Sequence, residues 1–296
     1  MNKTKVLIAG ASGLIGQALI KHLEMRGFEV MPLMRVEHEQ EPFWNIEQGL
    51  IDLKSFQDPD VVINLCGENI AQGRWTDAKK QRLISSRINS TRLLTTYFSE
   101  KANIPSLFIN ASAIGFYGNQ EGEPITEDAI KGYDFISKLA SDWEQACQLI
   151  ENSPIRLVKL RTGVVLSTKG GALPKMLPAF KFGIGGRVGS GKQIMSWIDI
   201  KDTCNAIEFI IKNQRLTGAV NITAPTPVSN EQFSKALAKA VHRLCLLPIP
   251  EFVIKIVFAE KGKELLLSSC NVLPEKLLKA GFKFEFETIE ECLQKM

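Results

Sequence analysis

The chain is 296 residues long and 45% hydrophobic, enough for a large buried core in one large domain or two closely joined ones, and it is not a peptide. Charged residues make up 23%, the net charge is +4, and the basic residues are spread with no run that could act as a nucleic-acid arm, which argues against nucleic acid as a partner.

In chain order, residues 5–35 (KVLIAGASGLIGQALIKHLEMRGFEVMPLMR) begin with an apolar run, Val6 to Ala9, and pass through Gly10, Gly13 and Gly16. They continue with Leu14, Ile15, Ala18, Leu19 and Leu23 at helical spacing. This reads as strand, glycine turn and helix. Gly27 ends the helix and FEVMPLM is a second strand, closing a βαβ unit. Gly10 permits the sharp turn, Gly13 lets backbone approach a pyrophosphate resting on the helix N-terminus, and Gly16 lets helix and strand pack closely. Gly10, Ser12, Gly13, Leu14, Ile15 and Gly16 are therefore candidate dinucleotide contacts. The second strand ends in Met34 and Arg35, where NAD readers carry an acid for the ribose 2′-hydroxyl. An arginine there suits a 2′-phosphate and points to NADP (NADPH); a solvated strand-end arginine is the alternative. Pro32 is unexpected inside a strand unless its missing N–H faces an unpaired side or a bulge. Three glycines spaced by two residues each resemble the turn of short-chain dehydrogenases of the extended type.

Residues 60–70 (DVVINLCGENI) form a near-continuous apolar run, as a strand buried on both faces should, and its end at Leu65, Cys66 and Gly67 passes the adenosine side of a dinucleotide. A long amphipathic helix follows, with Thr76 as N-cap and Leu83, Ile84, Ile88 and Leu94 along it; the resemblance adds Arg87 as a cofactor contact. Residues 107–112 (LFINAS) are another buried strand, whose carboxyl end faces the ligand crevice of a doubly wound sheet. In the extended family this strand carries a serine that bonds the substrate's reacting oxygen shortly before a Tyr-Gly pair. Ser112 and Tyr117-Gly118 match, with one residue more between them than is usual, and a serine that merely caps the strand end is the alternative for Ser112. SAIGFYG, NLCGEN, LRTGVVL and SWIDIKD together resemble a subgroup known as epimerase family proteins, atypical short-chain dehydrogenases of largely unassigned activity, and the resemblance runs nearly end to end.

The family's catalytic helix carries Tyr-x-x-x-Lys, in which the phenol moves the proton and the lysine holds the nicotinamide ribose. Here GYDFISKLASDWE keeps Lys138 but places Asp134 four residues before it; Tyr133 lies roughly 140° away from Lys138 around a helix axis. Phe135, Leu139, Trp143, Ala146 and Ile150 give the helix an apolar stripe, and Asp134 is a good N-cap. Lys138 retains a ribose role, while the usual proton donor is absent and Tyr117 is a replacement to consider.

Residues 155–166 (IRLVKLRTGVVL) read as one strand whose exit near Val164 and Val165 approaches the nicotinamide in the family. The following glycine- and proline-rich stretch looks like a substrate-side loop and short helix. Its Gly186-x-x-x-x-Gly191-Lys192 mimics a P-loop, but Gln193 stands where Ser or Thr should be and a strand-like IMSWIDI follows, so the match is accidental. Asp202 reads as an N-cap, SNEQFSKALAKAVHR as a capped helix, and Gly281 as a helix stop before an alternating strand in PEKLLKAGFKFEF. Cys66, Cys147, Cys204, Cys245, Cys270 and Cys292 have no Cys-x-x-Cys spacing and read as reduced, mostly buried thiols. His22, His38 and His242 are isolated, so no metal site is expected. The beginning shows no signal-like apolar region and no run is long enough to span a bilayer, which makes the cytoplasm the default location.

These readings give an α/β fold: a Rossmann-type doubly wound parallel sheet in residues 1–166, to which segments near 194–225 return. A smaller mixed α/β substrate lobe occupies 167–296, with a C-terminal module about 248–296. The resemblance implies an NADP-dependent oxidoreductase or epimerase-like enzyme acting on a small-molecule substrate, nucleotide sugars among the candidates, with a homodimer as one assembly open to it. A cofactor-binding regulatory or scaffold protein that has lost catalysis with the tyrosine is the alternative.

Overall fold

A computed structural model describes residues 3–295 apart from His38, Ser55, Glu121 and Leu246, so the histidine at 38 lies outside the described residues. The first part of the chain forms β1 (Lys5–Ala9), α1 (Leu14–Met25), β2 (Glu29–Leu33), an antiparallel hairpin of β3 (Phe43–Asn45) and β4 (Leu50–Asp52), β5 (Val61–Asn64), α2 (Asp77–Ser99), β6 (Leu107–Ala113), α3 (Phe135–Gln145), the single turn α4 (Gln148–Glu151) and β7 (Arg156–Thr162). There follow β8 (Val164–Leu166), α5 (Leu173–Lys181), β9 (Ile194–Met195), β10 (Trp197–Asp199), α6 (Ile200–Lys212), β11 (Gly218–Ile222), β12 (Val228–Ser229), α7 (Asn230–Ala240), α8 (Glu251–Gly262), α9 (Glu275–Lys279) and α10 (Ile289–Gln294).

Six parallel strands form the central sheet in the order β11-β7-β6-β5-β1-β2. Alternation along each strand builds two cores. Val6, Ile8, Val61, Ile63, Leu107, Ile109, Val220 and Ile222 pack with α1 and α6, while Leu7, Ala9, Val62, Phe108 and Leu157 pack with Leu94 and Phe98 of α2 and with the hairpin. The expected doubly wound sheet is therefore present. Its β2 is an edge strand, and this accounts for Pro32: paired with Ile8 on one side alone, it costs the sheet no ladder bond.

The single strand expected over 155–166 is broken at Gly163. A Cβ there would stand 2.7 Å from the Ser196 carbonyl, so only glycine lets the two backbones cross; β8 then leaves the main sheet to pair in parallel with β10. This departure opens the second lobe, whose core holds Trp197, Phe233, Phe286 and Ile289 between α5, α7 and α10. Gly186 packs against the Leu247 carbonyl and β9 follows the P-loop-like stretch, so no helix offers a phosphate site there. All six cysteines are free, four of them buried.

Two further expectations are corrected. Asp199, not Asp202, caps α6, accepting from the Lys201 amide at 2.6 Å. Asp202 lies inside the helix, fully buried, and accepts from the Glu285 and Phe286 amides at 2.9 and 3.0 Å. Those amides are consequently unavailable to a ladder, and the strand expected after Gly281 does not form; Gly281 itself ends α9 at φ +85°, as its sequence context predicts. The carboxylate thus ties the C-terminal segment to the main sheet's helix layer. Replacing it strands two inward-facing amides, so Asp202→Ala should lower the unfolding free energy by about 2–4 kcal/mol in a denaturant titration; an unchanged midpoint would show that the tie is dispensable.

Candidate functional site

The turn between β1 and α1 is shaped by contacts that exclude side chains. Gly10 has φ +82°, and a Cβ on it would lie 2.7 Å from the Leu65 carbonyl carbon; a Cβ on Gly16 would lie 2.5 Å from the Gly10 oxygen. Gly13 differs. It N-caps α1 with no side-chain hydrogen bond, and a Cβ there would meet only the Gly10 oxygen, at 3.3 Å. The first amides of the helix therefore point into open space bounded by exposed Ser12 and Gly13 and half-buried Leu14 and Ile15, an arrangement that suits an anion. The loop after β8 lies over it: a Cβ on Gly170 or Gly171 would stand 3.2 or 3.3 Å from the Leu14 side chain, and Gly171 also approaches the Val165 carbonyl.

At the end of β2, Met34 and Arg35 are exposed, and among the described residues no carboxylate pairs with Arg35. Its guanidinium lies beside the Cys66 thiol, whose pKa burial pushes up to about 11 against the opposing pull of Arg35. Leu65 is half-buried and Gly67 exposed. Arg87 lies against Gly67, where a Cβ would be 3.1 Å from its Cζ. It donates to the Leu83 and Glu68 carbonyls at 3.0 and 3.1 Å and stacks over Trp143, 5.0 Å from the ring centre. Burial lowers its pKa to about 10, with Glu68 opposing, so it stays charged.

Ser112 and Tyr117 are not arranged for proton transfer to a ligand. Ser112 is buried and its hydroxyl donates to Glu144 Oε1 at 2.7 Å. Glu144 also receives Arg161 Nε at 2.8 Å and Nη2 at 3.0 Å, a bidentate pair inside the protein. Arg161 Nη1 donates to the Tyr117 oxygen at 3.0 Å, and that phenol donates to Asn221 Oδ1 at 2.7 Å. Tyr117 is wholly buried, and burial, partly offset by Arg161, raises its pKa to about 12. The expectation that Tyr117 replaces the missing proton donor is corrected for this reason: both sides of its hydroxyl are engaged and no solvent reaches it. The substrate contact expected of Ser112 is likewise turned inward, toward Glu144.

At the start of α3, Asp134 is the N-cap, its Oδ1 accepting from the Ser137 amide and hydroxyl at 2.8 and 2.6 Å. Tyr133 therefore lies outside the helix and is 94% exposed. Lys138 is exposed too, and its ammonium pairs with Asp142 at 2.8 Å. Ile136 packs onto Gly115 in the 3₁₀ turn that leaves β6 (Ile114–Tyr117), which brings the helix start to the carboxyl end of the sheet. Glu264, in the π-helical turn Lys263–Leu267 after α8, accepts from the Ile136 amide at 3.2 Å, and burial followed by nearby Asp134 raises its pKa. Lys261 donates to the Ala71 and Gly73 carbonyls at 3.2 and 2.6 Å. Sequence reading missed Glu144, Arg161, Lys261 and Glu264. The buried charges sit in ordinary helix and strand patterns, and the other two act across more than a hundred residues, so no local signal marks them. Among the described residues no cluster of His, Cys, Asp and Glu could hold a metal.

Comparison with known proteins places these features in context. The model of the NAD dependent epimerase/dehydratase family matches residues 6–223, and that of a domain of unknown function, DUF1731, matches 249–296. The chain is 42% identical over 295 residues to epimerase family protein Mb2239 of Mycobacterium bovis, covering 99% of this chain and 97% of that one. It is 37% identical to epimerase family protein YfhF of Bacillus subtilis, covering 98% and 97%. Among solved structures it is similar to human epimerase family protein SDR39U1 (isoform 2) with NADPH, at a TM-score of 0.91, 30% identity and 98% coverage of each chain.

Removing the carboxylate of the inner pair leaves a buried guanidinium uncompensated. Glu144→Ala should cost about 3–5 kcal/mol in chemical denaturation, and Ser112→Ala, which leaves the pair intact, about 1 kcal/mol; equal, small losses would mean that the pair opens to water.

Proposed function

The chain belongs to the NAD dependent epimerase/dehydratase family, and from that premise we propose that it is an NADPH-dependent oxidoreductase acting on a small molecule, with hydride return to the same carbon as the epimerase variant of that chemistry. Arg35 carries this reading. It stands exposed at the end of β2, without a carboxylate partner among the described residues, where a 2′-phosphate needs a cation and a free 2′-hydroxyl would need an acid. NADPH, when bound, supplies the hydride.

The residues fit that cofactor in sequence along the crevice. Gly13 and the first amides of α1 hold the pyrophosphate, with Gly10, Ser12, Leu14, Ile15 and Gly16 shaping the turn around it. Met34, Leu65, Cys66 and Gly67 line the adenosine side, and Arg87, already charged and packed against Gly67, adds a second cation. Val165 borders the nicotinamide side. Lys138 anchors the ribose: its exposed pair with Asp142 is worth about 0–1 kcal/mol, too little to hold it back from a ligand. The substrate enters from the second lobe, and a nucleotide sugar is the first compound to screen. No helical tyrosine supplies the proton, because α3 begins after Tyr133; the proton comes from solvent or from the substrate itself.

Fluorescence titration should give NADPH a Kd about tenfold below that of NADH, and Arg35→Ala should erase the difference by weakening NADPH alone. Gly13→Val should abolish binding of both nucleotides while the protein still melts cooperatively, since the new side chain fills only the open face of the turn. Equal wild-type affinities, or binding unaffected by Gly13→Val, would remove the assignment.

Lys138→Ala should weaken NADPH binding, whereas Tyr133→Phe should leave turnover of an identified substrate unchanged. Loss of turnover with intact binding in Tyr133→Phe would instead make Tyr133 the acid.

A further inference from the structure

One face of the second lobe combines exposed apolar side chains with an excess of positive charge. Residues 181–189 run beside 243–251: Arg243 Nε donates to the Lys181 carbonyl at 3.0 Å, the Ile249 amide to the Arg187 carbonyl at 2.8 Å, and Gly189 to the Ile249 carbonyl at 2.8 Å. From this pair of strips protrude Phe182 (82% exposed), Ile184, Leu244 (71%) and Leu247. The helix α8 continues from them. Its Ile254 is buried against the lobe, and at roughly 100° per residue Phe252 and Ile256 lie about 160° from it on either side, directed outward. Both are exposed. An outward-facing helix stripe of Phe and Ile contiguous with apolar loop tips is unusual on a protein that keeps its surface in water.

The charge around this face is one-sided. Residues 181–192 and 231–264 contain nine Lys and Arg against four Glu, a balance of +5, so the rest of the chain carries −1 of the net +4. Glu231 pairs with Lys235 and Arg187, Glu251 with Lys255 and Glu260 with Lys80, and Glu264 accepts from the Ile136 amide, while Lys239 and Arg243 have no carboxylate partner among the described residues. A groove of about 800 Å³ opens in the same face, lined by Lys235, Lys239, His242 and Arg243 with no carboxylate among its lining residues. Two copies of the chain meeting through this face would bring +5 against +5, which disfavours self-association. Apolar tips that need burial, flanked by cations that need anions, fit a surface that presents both at once.

We propose that this face is a peripheral docking surface for an anionic lipid bilayer: Phe182, Leu244, Phe252 and Ile256 enter the acyl boundary while Lys235, Lys239 and Arg243 meet the headgroup phosphates. It requires no span, and among the described residues no helix is long and apolar enough to cross a membrane.

The test is sedimentation of the full chain with vesicles of phosphatidylserine and phosphatidylcholine, against vesicles of phosphatidylcholine alone. Binding should be confined to the anionic vesicles, fall steeply as salt is raised from about 0.1 M to 0.5 M, and drop about tenfold in a Phe252→Ser, Ile256→Ser double variant. Those substitutions are on exposed positions, and retained cooperative melting and nucleotide affinity will show that the variant is folded. Failure to sediment with anionic vesicles overturns the proposal, as does binding that the double variant retains in full. A dimer in sedimentation velocity that the double variant dissociates would assign the face to a second copy, and would overturn it equally.

Discussion

Buried where α3 meets β6 and β7, Glu144 and Arg161 hold each other in an interior where either charge alone would cost several kcal/mol. Their demand for partners organises what surrounds them. Arg161 lies over the Phe116 ring, 3.5 Å from its centre, and its second nitrogen fixes Tyr117, which in turn fixes Asn221 on β11. Asn221 donates through its amide to Glu127, and Glu127 accepts the Lys276 amide at the start of α9. One ion pair is therefore connected through hydrogen bonds from α3 to the C-terminal segment, and Ser112, which the family pattern would turn toward a substrate, is tied to the same pair through Glu144.

The glycine turn follows the opposite logic. It works through backbone, by leaving room: Gly10 and Gly16 allow chains to touch, and Gly13 leaves the amides of α1 uncovered. In the proposed function nothing in that design would need a particular side chain except Arg35, where a distinguishing charge would be read. The glycine turn thus rests on geometry that any sequence with the right glycines can adopt, while the polar side chains at the end of β6 are turned inward into the Glu144–Arg161 network.

How much could be read from the sequence follows from the same division. The sheet, the glycine turn, the cap at Asp134 and the position of Tyr133 outside α3 were legible because each depends on neighbours within a few residues. The alternation of Val6 and Ile8 against Leu7 and Ala9 announces two covered faces directly. Errors arose where distant segments compete for a local group. Residues 282–286 alternate like a strand, yet Asp202, some eighty residues earlier, takes two of their amides. Gly163 looks like an ordinary residue in an apolar run, yet the Ser196 carbonyl dictates a break there. Ser112 and Tyr117 match a family pattern in spacing while Glu144 and Arg161, which decide where their hydroxyls point, carry no mark in a helix and a strand that would read the same with other polar residues.

The departure of β8 from the sheet has a consequence for how such a protein diversifies. Because Val164–Leu166 and Trp197–Asp199 lie side by side and parallel, the excursion of residues 167–196 leaves and re-enters the architecture at a single doorway. Inside it the chain is held at a few points only: Gly170 and Gly171 against Leu14 beside the glycine turn, and Leu173 and Phe180 of α5 in the second core. Selection, or an engineer, can therefore vary the exposed positions between those anchors, whereas a change at the anchors is felt in the turn itself.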